Sequence, residues 1–439
     1  MAGDEYPAYL RSLDEKPKRG VRVNTLKCTV EEFLQVSPFA LTPSPFAPEG
    51  FYLDGEYTGA GNTAQHHLGL FYMQEPSAMS AVQVLDPQPG ERVLDLCAAP
   101  GGKSTQIAAK LQGTGLLWSN EVVLSRAKVL LSNIERMGVR NAVVSSAKPD
   151  TICGKLVGYF DKVLVDAPCS GEGMLRKEPQ AALDWSEENI RACAARQLAI
   201  LESAKACLRP GGVLVYSTCT FSLEENERTI LQFLERNADF ELLPIDVMFG
   251  RMSNPAWIGR SEQPITHMRR VMPADGGEGH FIAKLRKRDD AVSPCCALFD
   301  YALCDCPESF GEFARTQFIS LAGSPHLVGG TVYLLPDEMP FFHGAGVLRA
   351  GVRAGCFKGK RFEPAHHLYV SQRMENLVRP FCMELDDPAA RRFLHGEQLE
   401  APGFPRGYTG VCIGGYPAGF GKVSADVLKN HYPKGLRSL

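Results

Sequence analysis

Two short segments set a cysteine where it can do chemistry. DAPCSGEGM (Asp166–Met174) and STCTFSLEENE (Ser217–Glu227) each hold one in a polar turn flanked by glycines or hydroxyls. Each turn follows an apolar run, DKVLV and GVLVY, that reads as a strand. Cys169 and Cys219 are therefore expected at one edge of a sheet, facing one cleft. Methylation at carbon 5 of cytosine is a chemistry in which two thiols there are useful. That carbon is a poor nucleophile. Attack of a thiolate on carbon 6 breaks the aromaticity and makes carbon 5 enamine-like, so that one hard step becomes two easier ones. The carbon 5 proton must then leave, and a second thiolate can serve as the base. Asp166 is placed to protonate or hydrogen-bond the ring nitrogen during attack.

Free cysteine is more often a small buried hydrophobe than a reagent. That description is taken for Cys28, Cys97, Cys153, Cys193, Cys207, Cys356, Cys382 and Cys412 as thiols. Cys295, Cys296, Cys304 and Cys306 cluster without CxxC pairs, so no metal site is expected.

A third segment supplies a ligand loop. VLDLCAAPGGKST (Val93–Thr105) reads as a strand, a turn of small residues and a helix start. Gly101 and Gly102 let backbone approach a ligand, and the helix amino terminus can face negative charge. The GxxxxGK[ST] spacing of a phosphate-cradling loop is absent. Glu121 ends the next strand, where an acid can accept bonds from ribose hydroxyls.

These segments belong to a longer alternation. Between His67 and Lys287, short strands (Arg92–Cys97, Gly115–Asn120, Asn141–Ser146, Asp161–Ala167, Gly212–Thr218, His280–Leu285) alternate with helices such as Ser125–Gly138 and Glu187–Leu208. That pattern predicts an α/β fold, a mostly parallel sheet with helices on both faces. Residues 1–66 read as a small mixed accessory domain, with Arg22–Lys27 as a strand and the proline-rich Leu41–Gly50 as a loop. Residues 67–287 form the main domain, 288–380 an intermediate region without clear pattern, and 381–439 a compact β-rich unit.

The bulk composition is that of a globular protein: 439 residues, 44% hydrophobic and 22% charged. The net charge of −3 confines any nucleic-acid surface to local patches. One candidate patch holds Arg349, Arg353, Lys358, Lys360 and Arg361, and another Arg406, Lys422, Lys429, Lys434 and Arg437, both beside aromatics. No signal peptide or membrane span is expected, and fourteen scattered cysteines suit a reducing cytoplasm.

DLCAAPGGKS, DAPCSGEGM and STCTFSLEENE together resemble the motifs of the NOL/NOP/Sun family of cytosine-5 RNA methyltransferases, as do QEPSAM (Gln74–Met79) and RVNTLK. ERMG with VRNAVV, and the terminal GGYPAGFGKVSADVLKNHYPKGLRSL, are similar to RsmF-type enzymes that act on 16S ribosomal RNA. The resemblance implies a Rossmann-like methyltransferase with a seven-stranded sheet and a PUA-like RNA-binding unit at the end. It implies S-adenosylmethionine as cofactor, lined by Cys97, Ala98, Ala99, Pro100, Gly101, Gly102 and Lys103, with Glu121 on the ribose, Arg126 near the carboxylate and Asp166 between cofactor and base. Cys219 then matches the nucleophile, Cys169 the residue assisting product release, and Lys103 a lysine of the target pocket. RNA, 16S ribosomal RNA in preference to transfer RNA, is the implied partner of a monomeric enzyme. One position departs: where family members carry an acid or amide against the adenine, this chain has Ala147, and the contact falls to Ser146 or a backbone group.

Three other functions are weighed. A DNA cytosine-5 methyltransferase would use Cys169 as nucleophile and leave Cys219 unexplained. An amino-group methyltransferase would want an aromatic where Cys169 stands. A non-catalytic RNA-binding assembly factor would not need every catalytic position filled.

Overall fold

The computed structural model describes residues 6–55, 59–177, 183, 185–259, 263–291, 304–337, 339–340 and 345–437. Four sheets carry them. The largest is built on β1 (Arg92–Asp95), β2 (Leu116–Asn120), β3 (Ala142–Ser145), β4 (Phe160–Asp166), β5 (Leu208–Thr218), β6 (Phe240–Leu243) and β7 (His280–Lys287). Its strand order is β3-β2-β1-β4-β5-β7, with β6 also paired to β7. The pairs from β3 to β5 are parallel, and β7 runs antiparallel to β5 and β6. This is the order of a Rossmann-like methyltransferase core.

Alternation along each strand divides its residues between two cores. Leu94, Trp118, Val163, Val165, Leu214 and Tyr216 pack on one face. Val93, Leu117, Leu164, Val215 and Ile282 pack on the other. Both faces are covered by helices, which is why these strands read as nearly continuous apolar runs. The covering helices include α1 (Gly102–Leu111), α2 (Leu124–Arg136), α3 (Glu187–Cys207) and α4 (Glu227–Arg236).

The sheet is wider than seven strands. Arg251–Met252 and Arg269–Val271 extend it beyond β7, and Val347–Ala350 pairs antiparallel with β3 at the opposite edge. This last strand comes from beyond residue 288. It covers backbone donors and acceptors that β3 would otherwise leave exposed at an edge.

The first 73 residues contribute a four-stranded sheet ordered Leu41–Pro43, Gly50–Leu53, Gly20–Val23, Phe71–Met73. Its last strand lies past residue 66. The strand expected over Arg22–Lys27 stops at Val23, because Asn24 turns the chain. The Asn24 side-chain amide donates to the carbonyls of Gly69 and Met137 at 2.7 and 2.9 Å. Two five-stranded sheets follow, one from Cys304 to Pro364 and one from Phe381 to Asn430.

The two ends of the chain share one core. Val21, Val23, Phe33 and Phe71 pack with Met383, Phe393, Val411, Leu428 and Tyr432. No helix among the described residues is long and apolar enough to cross a membrane.

Candidate functional site

β1, β2, β4 and β5 all end at one edge of the sheet, and the motifs follow directly from those ends. The loop Cys97–Gly102 is held from outside by its carbonyls. Arg126 donates to Ala99 O at 3.1 Å, Asn133 to Pro100 O at 2.9 Å and the Thr105 hydroxyl to Gly101 O at 2.7 Å. Buried Arg22 bonds Gly102 O. Gly101 takes φ +113°, open only to glycine at low cost, and a Cβ there would stand 3.1 Å from Leu130. α1 then starts on Gly101 with no side-chain cap. Its first N–H groups are left for a ligand.

Two acids flank this loop. Glu121 is buried, its carboxylate taking the Val123 N–H at 2.9 Å and pairing with Arg126 at 3.2 Å. Asp95, which the sequence argument passed over, is fully buried at the end of β1. One of its oxygens accepts from Ser104 at 2.7 Å, and the other has no partner among the described residues. Burial, partly offset by Ser104, raises its pKa to about 7. A buried acceptor without a donor costs roughly 1–3 kcal/mol, so its persistence points to a ligand donor. Uncapped helix, close-approach glycines, ribose-height acid and orphan acceptor suit S-adenosylmethionine. At the adenine side, Ala147 is half-buried and its N–H is taken by Asn120 at 3.2 Å. Ser146 donates weakly to Val122 O at 3.4 Å.

The two thiols meet. Cys169 Sγ and Cys219 Sγ are 3.2 Å apart. The Cys169 thiol is raised well above the ordinary cysteine range, first by its hydrogen bond to Cys219 and then by burial. Lys103 Nζ donates to Asp166 at 2.7 Å, and Ser217 donates to the other Asp166 oxygen at 2.7 Å. Burial opposes ionisation of Asp166, but Lys103, His280 and Ser217 together bring its carboxyl below its usual value. Burial likewise opposes the Lys103 charge, and Asp166 outweighs it. Asp166 and Lys103 are a charged pair at the mouth of the thiol site.

The acids in the two motifs exchange support. Glu225, from the Cys219 segment, accepts from the Ser170 N–H at 3.0 Å, from the Ser170 hydroxyl and from Gln197 at 2.8 Å. Glu172, from the Cys169 segment, accepts from the Thr220 hydroxyl and the Phe221 N–H, both at 3.0 Å. Ser170 and Thr220 bond each other at 2.9 Å, and the Gly173 N–H bonds Cys219 O at 2.8 Å. Each cysteine loop is thus pinned by an acid from the other. Glu225→Ala should orphan three donors at about 1–3 kcal/mol each. The expected result is a lower unfolding midpoint together with slower methyl transfer, while Glu225→Gln keeps part of both. A normal rate in Glu225→Ala would contradict the clamp.

Comparison with known proteins decides the family. The family model described as 16S rRNA methyltransferase RsmB/F matches residues 82–286. Those described as the N-terminal domain of 16S rRNA methyltransferase RsmF, the RsmF first C-terminal domain and the RsmF PUA domain match 1–76, 312–371 and 380–438. Ribosomal RNA small subunit methyltransferase F from Cronobacter sakazakii is 34% identical over 99% of this chain and 93% of its own length. The protein of that name from Salmonella agona is 40% identical over 98% and 92%. The chain belongs to the RsmF family of methyltransferases. Among solved structures, a methyltransferase homolog from Pyrococcus horikoshii is 36% identical with a TM-score of 0.58, covering 65% of this chain and 91% of its own. NSun6 from the same organism, solved with SFG, is 25% identical with a TM-score of 0.56, over 66% and 96%.

For this family member, the structure changes the account of the basic patches. Arg349 is not a free cation: it forms a mostly buried pair with Glu135. Lys358 pairs with Glu363 at 2.7 Å, and Arg437 packs against Gly396 and donates to Tyr432 O at 3.3 Å. Arg353, Lys360, Arg406, Lys429 and Lys434 stay exposed, and two further cations meet at a seam between the last two sheets. There Arg361 donates to the Tyr408 hydroxyl at 3.1 Å and Lys422 lies 5.1 Å from the Tyr408 ring centre. Cys295 and Cys296 lie outside the described residues, and no three histidines, cysteines or acids gather as a metal site among those described. Sequence spacing carried no sign of Asp95, Ser217 or His280 as site residues, and for Glu172 and Glu225 the one signal was their closeness to each cysteine.

Proposed function

We propose that this chain is an S-adenosylmethionine-dependent RNA cytosine-5 methyltransferase acting on 16S ribosomal RNA in the cytoplasm. The observation that carries the chemistry is the pair of thiols 3.2 Å apart at neighbouring strand ends beside the ligand loop. The names of the relatives support the RNA, and the solved neighbour holding SFG, an analogue of S-adenosylmethionine, supports the cofactor.

Cys97–Lys103, Asp95, Glu121 and Arg126 hold the cofactor, which when bound supplies an electrophilic methyl group. The target cytosine leaves its stack to reach the thiols. Cys219 gives its proton to solvent and attacks carbon 6 as thiolate. Lys103, held by ionised Asp166, donates to the ring edge where negative charge develops. Once Cys219 is bonded to carbon, the leading cause of the raised Cys169 pKa is gone. Cys169 then loses its own proton to solvent more readily, and its thiolate accepts the carbon 5 proton. The electron pair returns to the ring, the carbon–sulfur bond breaks, and Cys219 leaves as thiolate.

The test is trapping on RNA containing 5-fluorocytosine, whose carbon 5 has no proton to lose. Wild-type protein with S-adenosylmethionine should give a denaturant-stable RNA adduct, mapped to Cys219 by mass spectrometry. Cys219→Ala should give none. An adduct through Cys169 would overturn the assignment, and no methyl transfer with intact RNA binding would favour an assembly factor.

A further inference from the structure

His280 opens β7 and does no work in the scheme above. In the β5–β7 pairing Phe281 stands opposite Thr218. One step along this register, His280 flanks Cys219. Its ring is buried, 3% exposed, and lies within electrostatic range of Lys103, Asp166 and Glu75. The carboxylate of Glu75 is occupied by the N–H groups of Ser77, Ala78 and Glu278 and by the Ser77 hydroxyl. Asp166 is occupied by Lys103 and Ser217. His280 Nε2 is different: it is shut off from solvent and has no hydrogen-bond partner among the described residues.

The state of this nitrogen can be worked out. Burial, then Lys103, lowers the ring pKa to about 4, so the imidazole is neutral at ordinary pH. The Gly279 backbone partly offsets this. In the tautomer protonated at Nδ1, the unpartnered Nε2 carries a lone pair that can accept an N–H. Cytosine and uracil differ at this kind of contact: cytosine offers an exocyclic amino group where uracil offers an oxygen. A site built to bond such a group rejects the analogue that lacks it, because its own polar atom is left unpaired.

We propose that His280 Nε2 accepts a hydrogen bond from the 4-amino group of the target cytosine and so selects cytosine over uracil. This rests on the cytosine reading above. The test compares an RNA fragment bearing the methylation site with the same fragment carrying 2-pyrimidinone, cytosine without its amino group, at that position. With wild-type protein, removing the amino group should lower kcat/KM for methyl transfer about tenfold or more. In His280→Phe the same removal should change it less than about threefold, and His280→Asn, which keeps an acceptor, should recover part of the difference. Comparing the two ratios cancels the altered reactivity of the base itself. His280→Leu makes the same comparison if the phenylalanine variant folds poorly. Should the penalty in the folded variants equal that in wild type, His280 merely packs and the inference is wrong. A wild-type protein that methylates no cytosine would overturn the functional reading as well, and is recognised by the control fragment alone.

Discussion

Cys169→Ala should still transfer methyl to RNA but remain bonded to its product through Cys219. Without the second thiol nothing nearby takes the carbon 5 proton, so the methylated ring cannot expel the enzyme. Turnover should fall on the order of 100- to 10,000-fold, the usual share of a positioned general base. A single methyl per enzyme should still be counted from labelled cofactor. The measurement is a denaturing gel with unmodified RNA. Cys169→Ala should show a slow-moving RNA–protein band that wild type lacks, and Cys169→Ala with Cys219→Ala should abolish it. The 3.2 Å separation makes this sharp, because the two sulfurs reach the same base. Wild-type turnover by Cys169→Ala would remove Cys169 from the mechanism.

Acidification from pH 7.5 to 5.0 should lower the urea unfolding midpoint markedly. The joint between the chain's two ends, α2 and the intermediate sheet is lined with three half-buried histidines, His66, His67 and His366, and one buried one, His367. His66 and His366 are lowered to about 3 and His367 to about 4, in each case first by burial. Arg136 beside His66, and Lys27 beside His366 and His367, add to it. His67 bonds the Tyr432 hydroxyl at 3.0 Å, and His367 Nε2 bonds Val139 O at 3.2 Å. Native pKa values below the unfolded value mean that the unfolded chain binds more protons between about 6.5 and 4. Stability therefore falls as pH falls through that window. At 1.36 kcal/mol per pH unit, the buried His367 ring costs up to about 2 kcal/mol at pH 5 and the half-buried rings less. Asp95, raised to about 7, works in the opposite sense but is one carboxyl against several rings. His366→Gln should flatten the pH dependence. Equal midpoints at both pH values would show that the rings take up protons without strain.

The histidine joint shows why part of this protein was hidden in the sequence. His66, His67, His366 and His367 are pairs of adjacent residues three hundred positions apart, with nothing in their spacing to link them. The same holds for the shared core of Val21, Phe71, Phe393 and Tyr432. Neither small sheet can bury enough apolar surface alone, so the two ends solve the problem together. Arg349 failed as a phosphate contact for a related reason. Its strand closes the edge beside β3, and that places its guanidinium on Glu135 rather than in solvent.

What the sequence determined by itself was local and periodic. The alternation of strand and helix set the layering of the main sheet, because a residue's face follows from its parity along the strand. The turn residues after β1, β4 and β5 marked the ligand loop and both cysteines, because glycine, proline and hydroxyl residues favour turns at strand ends. Whether Cys169 and Cys219 touch was a matter of strand order, which pairing over fifty residues decides and no local pattern records. Which acids brace which loop, and which buried polar atoms are left without partners, depend on desolvation and on neighbours drawn from distant segments. Those are properties of the packed interior, and only the tertiary structure supplied them.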